Sequence, residues 1–440
     1  MKGRSIMRIS DTALSKLHHL FLAALFAMFA SFSFSSALVE ITFVLALTAL
    51  AVICLSGRQQ PLSGIPQIVL WPLIFYAAAV LFSVTVSDFP KESFRGVLKV
   101  SQQILILIMA AQVPKNKITG GFFEKLLLCV FALVIANGLA QYALGTDLLR
   151  GFKSVDASAG VRLTSSFKSY GLFASFLVLI LPAAVGFAVA ARKNLRYAIL
   201  LTILAAEGLI CLYLTRSRGA WLAFFLSAFA SLVLLKQWRL ALILTLAAAA
   251  GAAMLPRNVL IHLDANFQEQ SVIERLDLWQ RAVYVIEAEP LTGTGINTYT
   301  RAHQQYDKSG SWRVRDYYAH NGYLQMAAEI GLPGAVSFGL FGFGLLAHGF
   351  LRLKQLSDSR QRAAAAGLWT GAAGFLIFSA WDTLLHNPQS VMNFYFISGI
   401  LIAALKPDKA DYQTDGGGAT GKAPVKPSES SGPGKPRERG

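Results

Sequence analysis

The stretch SYGLFASFLVLILPAAVGFAVAA, residues 169–191, runs for 23 residues without one charged side chain. As a helix, at ~1.5 Å per residue, it is long enough to cross a hydrocarbon core of roughly 30 Å. Similar apolar runs recur at 18–35, 37–56, 66–86, 99–113, 121–144, 197–215, 218–235, 240–256, 332–351, 363–381 and 388–405. With 54% hydrophobic and 15% charged residues over 440 positions, the chain is too apolar for a soluble domain and too long for a single anchor. The expected fold is therefore an all-α polytopic membrane protein of about twelve transmembrane helices. Cys54, Cys129 and Cys211 all fall inside apolar runs, where they act as small hydrophobes and not as a disulfide framework or zinc site.

Charge in the short loops sets the expected orientation. Lys2, Arg4, Arg8 and Lys16 precede the first run, which lacks a small-residue cleavage site and reads as a retained helix. With that end in the cytoplasm, the alternate turns hold Arg58, Lys115, Lys117, Arg192, Lys193, Arg196, Lys236, Arg239, Arg352, Lys354, Arg360 and Arg362, with Asp358 as their only acid. This is a positive-inside pattern with both termini cytoplasmic. The domain plan that follows is an N-terminal bundle of about nine spans over 1–256, a long outer loop with short helices over 257–331, C-terminal helices over 332–405, and a Gly/Pro/Ser/Lys-rich disordered cytoplasmic tail over 406–440. From 257 to 319 the outer loop carries seven Lys/Arg against eight Asp/Glu, so the overall charge of +16 arises elsewhere. Nucleic acid is not an expected partner, because no basic stripe tracks phosphates.

The residues out of keeping with a plain bundle gather on the outer face. YLTRSRGAWLAFF (213–225) places Arg216 and Arg218 at the junction of two spans. SVIERLDLWQRAVYVIEAEPLTGTGINTY (271–299) carries Arg275, and YYAHNGYLQMAAEIGLPG (317–334) carries His320 ahead of a short run of helix formers ending in Gly331. Ionisable groups at a membrane edge are costly without a partner, which makes them functional candidates. The spacing His, then Asn, nine residues, Gly, two residues, Gly is met by His320, Asn321, Gly331 and Gly334. It resembles the signature of the O-antigen ligase family. SRGAW (217–221) and RLDLW with PLTGTG (275–295) are also similar to the ligase and polymerase superfamily, in its order.

That resemblance implies transfer of a glycan from undecaprenyl diphosphate to a sugar hydroxyl on the periplasmic side of the inner membrane. The acceptor is lipid A–core for ligases and another lipid-linked glycan for polymerases. The residues suit this chemistry. A diphosphate calls for guanidinium forks, which pair with phosphate oxygens and keep their charge; Arg218 and Arg216 are expected to hold the donor, and Arg275 to bind the same group or take up charge as it leaves. A hydroxyl acceptor needs a base, and His320 is the candidate: the positive end of a helix dipole disfavours an imidazolium, leaving a neutral base near pH ~7. Asn321 joins the substrate-binding set as the second residue of the signature. Asp382, in SAWDTLLHNPQS (379–390), is placed to orient His320 or a donor-binding arginine.

Plainer readings compete at each position. The arginines could be snorkelling anchors, Arg275 could pair with Glu274 or Asp277, His320 could serve only a cap, and Asp382 could simply end a helix. His386 reads as a loop histidine, Tyr317, Tyr318 and Tyr323 as sugar-stacking or belt aromatics, and Glu40 as a helix-to-helix hydrogen-bond partner. Gly293–Gly295 reads as a turn, and Arg162–Gly171 as a second basic patch near the donor path. No carboxylate cluster or His/Cys spacing suggests a metal, and no cofactor is expected. A lipid-linked glycan transporter is the alternative from another class, but it should carry charge and broken helices near mid-membrane, whereas here the charge crowds one face.

Overall fold

The computed structural model describes residues 10–155, 161–253, 265–307 and 318–407. The expected tail beyond 407, the loop segments 254–264 and 308–317 with Tyr317, and the basic N-terminal residues before 10 lie outside them. Among the described residues the chain is helical, with two isolated antiparallel bridges, Thr146 to Lys153 and Val155 to Arg162. In chain order the helices are α1 (Asp11–Ser31), α2 (Ser36–Leu55), α3 (Gln67–Thr85), α4 (Pro90–Ala110), α5 (Phe122–Leu144), α6 (Tyr170–Ala190), α7 (Leu195–Leu214), α8 (Arg218–Leu234), α9 (Trp238–Ala253), α10 (Ala265–Ala288), α11 (Tyr299–Tyr306), α12 (Gly322–Gln355), α13 (Ser359–Phe378) and α14 (Pro388–Ala404).

Each expected apolar run overlies a helix. Among the described residues eight helices, α1 to α7 and α12, are long and apolar enough to cross a membrane, and α8 and α14 are shorter apolar helices. The protein is a multi-pass membrane protein. Two expectations need correction. The run read as 99–113 is the second half of a full-length helix: Pro90 at its start favours initiation, and its first turns, KESFRG, are amphipathic and escaped a purely apolar reading. Residues 257–331, expected as a loop containing short helices, hold the 24-residue α10.

Contacts between helix ends define two faces of the bundle. At one, Arg58 pairs with Asp11 at 3.1 Å, Gln59 donates to Gln112 at 3.0 Å, and Arg192 donates to Ser359 at 3.3 Å. At the other, Ile296 N–H donates to Ser83 Oγ at 3.1 Å, Leu163 N–H to the Leu214 carbonyl at 3.2 Å, and Gly322 N–H to the Ser379 carbonyl at 2.8 Å. Arg216, Arg218, His320 and Asp382 lie at this second face, and α10, which carries Arg275, packs against Ala319 there.

The centre of the bundle is α6, buried along nearly its whole length, with α13 pressed against it. Small residues let the two backbones meet: a Cβ added at Gly371 would run into the Leu179 carbonyl, and one at Gly367 into the Pro182 carbonyl. In lipid there is no hydrophobic drive between helices, so close approach of this kind is what holds them. Hydroxyl pairs tie neighbouring helices to this centre, Ser175 of α6 to Ser390 of α14 at 2.7 Å and Ser231 of α8 to Thr370 of α13. Gly371→Leu is expected to force α6 and α13 apart at a cost of at least ~1–3 kcal/mol. The measurement is the monodisperse yield and melting temperature of the detergent-purified protein, and an unchanged melt would show that the two helices do not depend on this contact.

Candidate active site

The site is built around a break in α12. Gly322 to Glu329 form a short helical stretch; Ile330 then leaves helical geometry at φ −124° and Gly331 turns the chain at φ +71° before Pro333 opens the long segment. A break frees carbonyls that must be satisfied, more so near lipid. Those of Ala328 and Glu329 accept from Thr294 N–H at 3.0 Å and Gly295 N–H at 2.8 Å, while Leu332 N–H donates to the Pro290 carbonyl at 2.8 Å. The PLTGTG turn is therefore docked onto the break, and the glycines of the two motifs explain one another. A Cβ at Gly331 would strike the Leu291 carbonyl, and one at Gly293 would strike the Glu329 carbonyl. Gly293 also sits at φ +63°, a region open to glycine.

Glu329 fastens the same junction from within. Its side chain is 1% exposed. Oε2 accepts from Asn297 N–H at 2.7 Å and lies 3.0 Å from His386 Nε2; Oε1 accepts from Tyr299 N–H at 3.2 Å and Gln325 Nε2 at 3.3 Å. Four donors on two oxygens is the coordination of an ionised carboxylate. Sequence reading missed this pair and left His386 as a loop histidine. The signal was present: Glu329 is the one Asp or Glu between His320 and Arg352, in an otherwise apolar run, and such a charge requires a partner.

His320 stands at the other end of this short helix. It adopts φ +48°, a left-handed conformation costly for a residue with a Cβ. The turn is held on both sides. Asn321 caps the helix, its Oδ1 accepting from Tyr323 N–H at 3.0 Å and Leu324 N–H at 3.1 Å, and Gly322 N–H is fixed to Ser379. Asn321 thus serves the backbone that aims His320. Non-glycine residues at positive φ also include Arg216, Asn297 and Ser165, all at this face, and such backbone concentrates at functional sites.

Asp382 meets His320, with Oδ1 3.5 Å from Nδ1, an ion-pair distance, and both side chains partly open to solvent. Its Oδ1 also accepts from Thr383 N–H at 2.7 Å. Its other oxygen fits because residue 171 is glycine: a Cβ there would sit 2.6 Å from Asp382 Oδ2. A carboxylate at Nδ1 leaves Nε2 as the outward nitrogen of the ring.

The arginines divide. Arg216 lies 5.2 Å over the Tyr213 ring, which stacks on Trp221. Arg218, the first residue of α8, is exposed and makes no ion pair among the described residues. The α7–α8 turn is seated beside Asp382, because Gly219 packs on Phe378 and Trp381. Arg275 is exposed on α10 and pairs with neither Glu274 nor Asp277. Ala282 and Val285 of α10 pack with Tyr299, Ala319 and Ala328 in a small second core, which ties the helix to the residue preceding His320. Burial pushes the Tyr299 phenol above its ordinary value, so it packs there as a neutral group. Arg281, buried and 2.9 Å from Asp307, belongs to this support. No hydrogen bond or ion pair joins Arg275 to His320 or Arg218 among the described residues; the structure brings His320 and Asp382 into direct contact and seats the turn that carries Arg218 beside them.

Other sequence candidates resolve in different ways. Tyr323 points into the bundle and donates to the Leu376 carbonyl at 2.7 Å, which removes it from the sugar-stacking set, whereas Tyr318 is exposed. Glu40 accepts from Gln102 Nε2 at 2.9 Å, the helix-to-helix bond expected of it. Arg162 lies 4.7 Å over the Tyr170 ring at the start of α6. Among the described residues no group of three or more His, Cys, Asp or Glu could hold a metal ion.

Residues 198–339 match the family model described as O-antigen ligase. The chain carries an O-antigen ligase family domain. The matched segment includes Arg216, Arg218, Arg275, His320 and Asn321, whereas Asp382 and His386 reach the site from beyond its end. No curated protein matches the chain. Glu329→Ala would leave three protein donors and His386 without their acceptor, at about 3–5 kcal/mol for breaking a buried pair. The variant is expected to melt earlier in detergent and to become protease-sensitive between 290 and 306, and wild-type values of both would show that Glu329 does not fasten the turn.

Proposed function

We propose that the protein is an O-antigen ligase, which transfers a glycan from undecaprenyl diphosphate to a sugar hydroxyl of lipid A–core. The observation that carries this reading is the contact of His320 with Asp382 at the N-terminus of a fixed short helix, beside a turn that presents unpaired Arg218. In this mechanism the acceptor hydroxyl gives its proton to His320 Nε2, while Asp382 holds the ring through Nδ1. The hydroxyl oxygen attacks the anomeric carbon as the bond from that carbon to the diphosphate oxygen breaks. The electron pair leaves with undecaprenyl diphosphate, whose charge is taken up by Arg218, Arg216 and Arg275. A single displacement inverts the anomeric centre, and His320 then returns its proton to solvent. Asn321 acts by fixing the backbone of His320.

The reading places the site on the periplasmic face of the inner membrane and the basic turns and both termini in the cytoplasm, supported by the gathering of Arg58, Arg192 and Arg360 at the face opposite His320. Residues 257–331 are then a periplasmic loop. A polymerase would use the same site on a lipid-linked glycan acceptor, and the complete histidine signature favours the ligase. Expression in a strain lacking its own ligase, followed by lipopolysaccharide electrophoresis, tests the choice: restored O-antigen on lipid A–core supports the ligase, and lengthened lipid-linked glycan without ligation replaces it with the polymerase.

His320→Ala is expected to lower transfer by about 10²–10⁴-fold in a purified assay while leaving folded yield intact. Near-wild-type transfer would remove the base role. Arg218→Lys and Arg275→Lys should each lose most activity although charge is kept, because an ammonium cannot form the bidentate fork with phosphate; full activity and donor affinity in both would place the diphosphate elsewhere. The reaction is also expected to proceed in excess EDTA and without ATP, since guanidinium groups carry the leaving-group charge and the diphosphate linkage supplies the driving force. Activity lost to chelator and restored by Mg²⁺ would overturn that mechanism.

A further inference from the structure

A second basic site lies at the same face, on the far side of the first turn of α6. Gly171 touches Asp382, and the next residue, Leu172, lines a cavity of about 240 Å³ between the α1–α2 connection, α6 and the start of α14. Its walls are amphipathic: Phe32, Val39 and Met392 on the apolar side, Arg150 and Lys168 on the charged side. Glu40 is the acid in its lining and is already engaged by Gln102. Lys168 is exposed and makes no ion pair among the described residues.

The cations are carried on a loop that is fixed from inside the bundle. Asp147, 4% exposed, accepts from Leu149 N–H at 2.9 Å and Arg150 N–H at 2.7 Å, and from Asn137 Nδ2 at 3.2 Å. Fully buried Gln141 accepts from Thr164 N–H and Ser165 N–H, both at 2.9 Å. Arg150 Nη1 then closes the two arms of the loop by donating to the Ser166 carbonyl at 3.2 Å. This much buried polar structure holds Arg150 and Lys168 over the cavity before any ligand arrives, which lowers the cost of binding. Nearby, α4 carries Lys91, Arg95 and Lys99 on exposed positions four residues apart, one stripe that leads toward Gln102 and Glu40.

We infer that this cavity binds the phosphate-bearing head of a membrane amphiphile, with the acyl part against Phe32, Val39 and Met392 and the phosphate between Arg150 and Lys168. Basic pockets between helices at a membrane edge have the chemistry for such heads. Two sources share it, a bulk anionic phospholipid and a phosphorylated glycolipid acceptor. The second possibility rests on the proposed ligase function, since Leu172 of the cavity wall follows Gly171, which packs against the Asp382 paired with His320.

Binding can be read without transfer. The full-length protein, purified in detergent, is titrated by native mass spectrometry with phosphatidylglycerol, phosphatidylcholine, and lipid A with and without its phosphates. Phosphatidylglycerol or phosphorylated lipid A should bind about tenfold tighter than phosphatidylcholine or dephosphorylated lipid A. Lys168→Glu, at an exposed position that leaves the fold intact, should abolish the preference, and Lys168→Arg should keep it. Preference for phosphorylated lipid A over phosphatidylglycerol identifies the acceptor; equal binding of the two identifies a general phospholipid site. Wild type without preference for phosphate-bearing heads, or a preference untouched by Lys168→Glu, overturns the inference. A protein that binds in this way but transfers no glycan would retain this site and lose the ligase reading.

Discussion

The break in α12 is the constraint on which the rest of the site depends. A helix interrupted near lipid must hand its freed carbonyls to other donors, because water is scarce there and each unsatisfied group costs several kcal/mol. Here the donors are the amides of Thr294 and Gly295, so the outer loop is bound to the bundle at the place where the bundle opens. Once the turn is docked, Glu329 reads its position through the amides of Asn297 and Tyr299 and passes it to His386. The short helix between this junction and His320 then has both of its ends fixed.

This arrangement accounts for glycines in a signature whose chemistry belongs to a histidine. Gly331 and Gly334 touch no substrate in the proposed reaction. Gly331 permits the turn and the approach of Leu291, and Gly334 faces Ile330 and Ala79, where a side chain would separate α12 from α3. Histidine and glycines are parts of one unit: in the proposed reaction the former does the chemistry, and the latter decide where its backbone can be.

Much of the fold was legible because apolar runs of membrane length leave few alternatives, and the twelve runs all fall on helices. What escaped was structure that depends on partners distant in sequence. The amphipathic first half of α4 looks soluble in isolation, yet its Gly96 packs against Ile296 and Asn297 from a distant part of the sequence. The contact of His320 with Asp382 could be suspected from the shared face, but the pairing of Glu329 with His386 could not be assigned, since nothing local distinguishes a histidine that meets a carboxylate from one that meets water. Arg275 and Arg218 could be named as cations, but only the folded arrangement shows that they lack acidic partners among the described residues, which leaves them free for the role given them in the proposed reaction.

The close seating of α6 against α13 has a mechanical meaning as well. Gly171 lies in the first turn of one of these helices and Asp382 follows the other by four residues, so the carboxylate beside His320 is mounted on two backbones in close contact. The arginines are mounted otherwise, at the tip of α8 and on the outward side of α10. In the proposed reaction the proton-handling half is then the anvil, set on α6 and α13, and the cations are brought to it from α8 and α10.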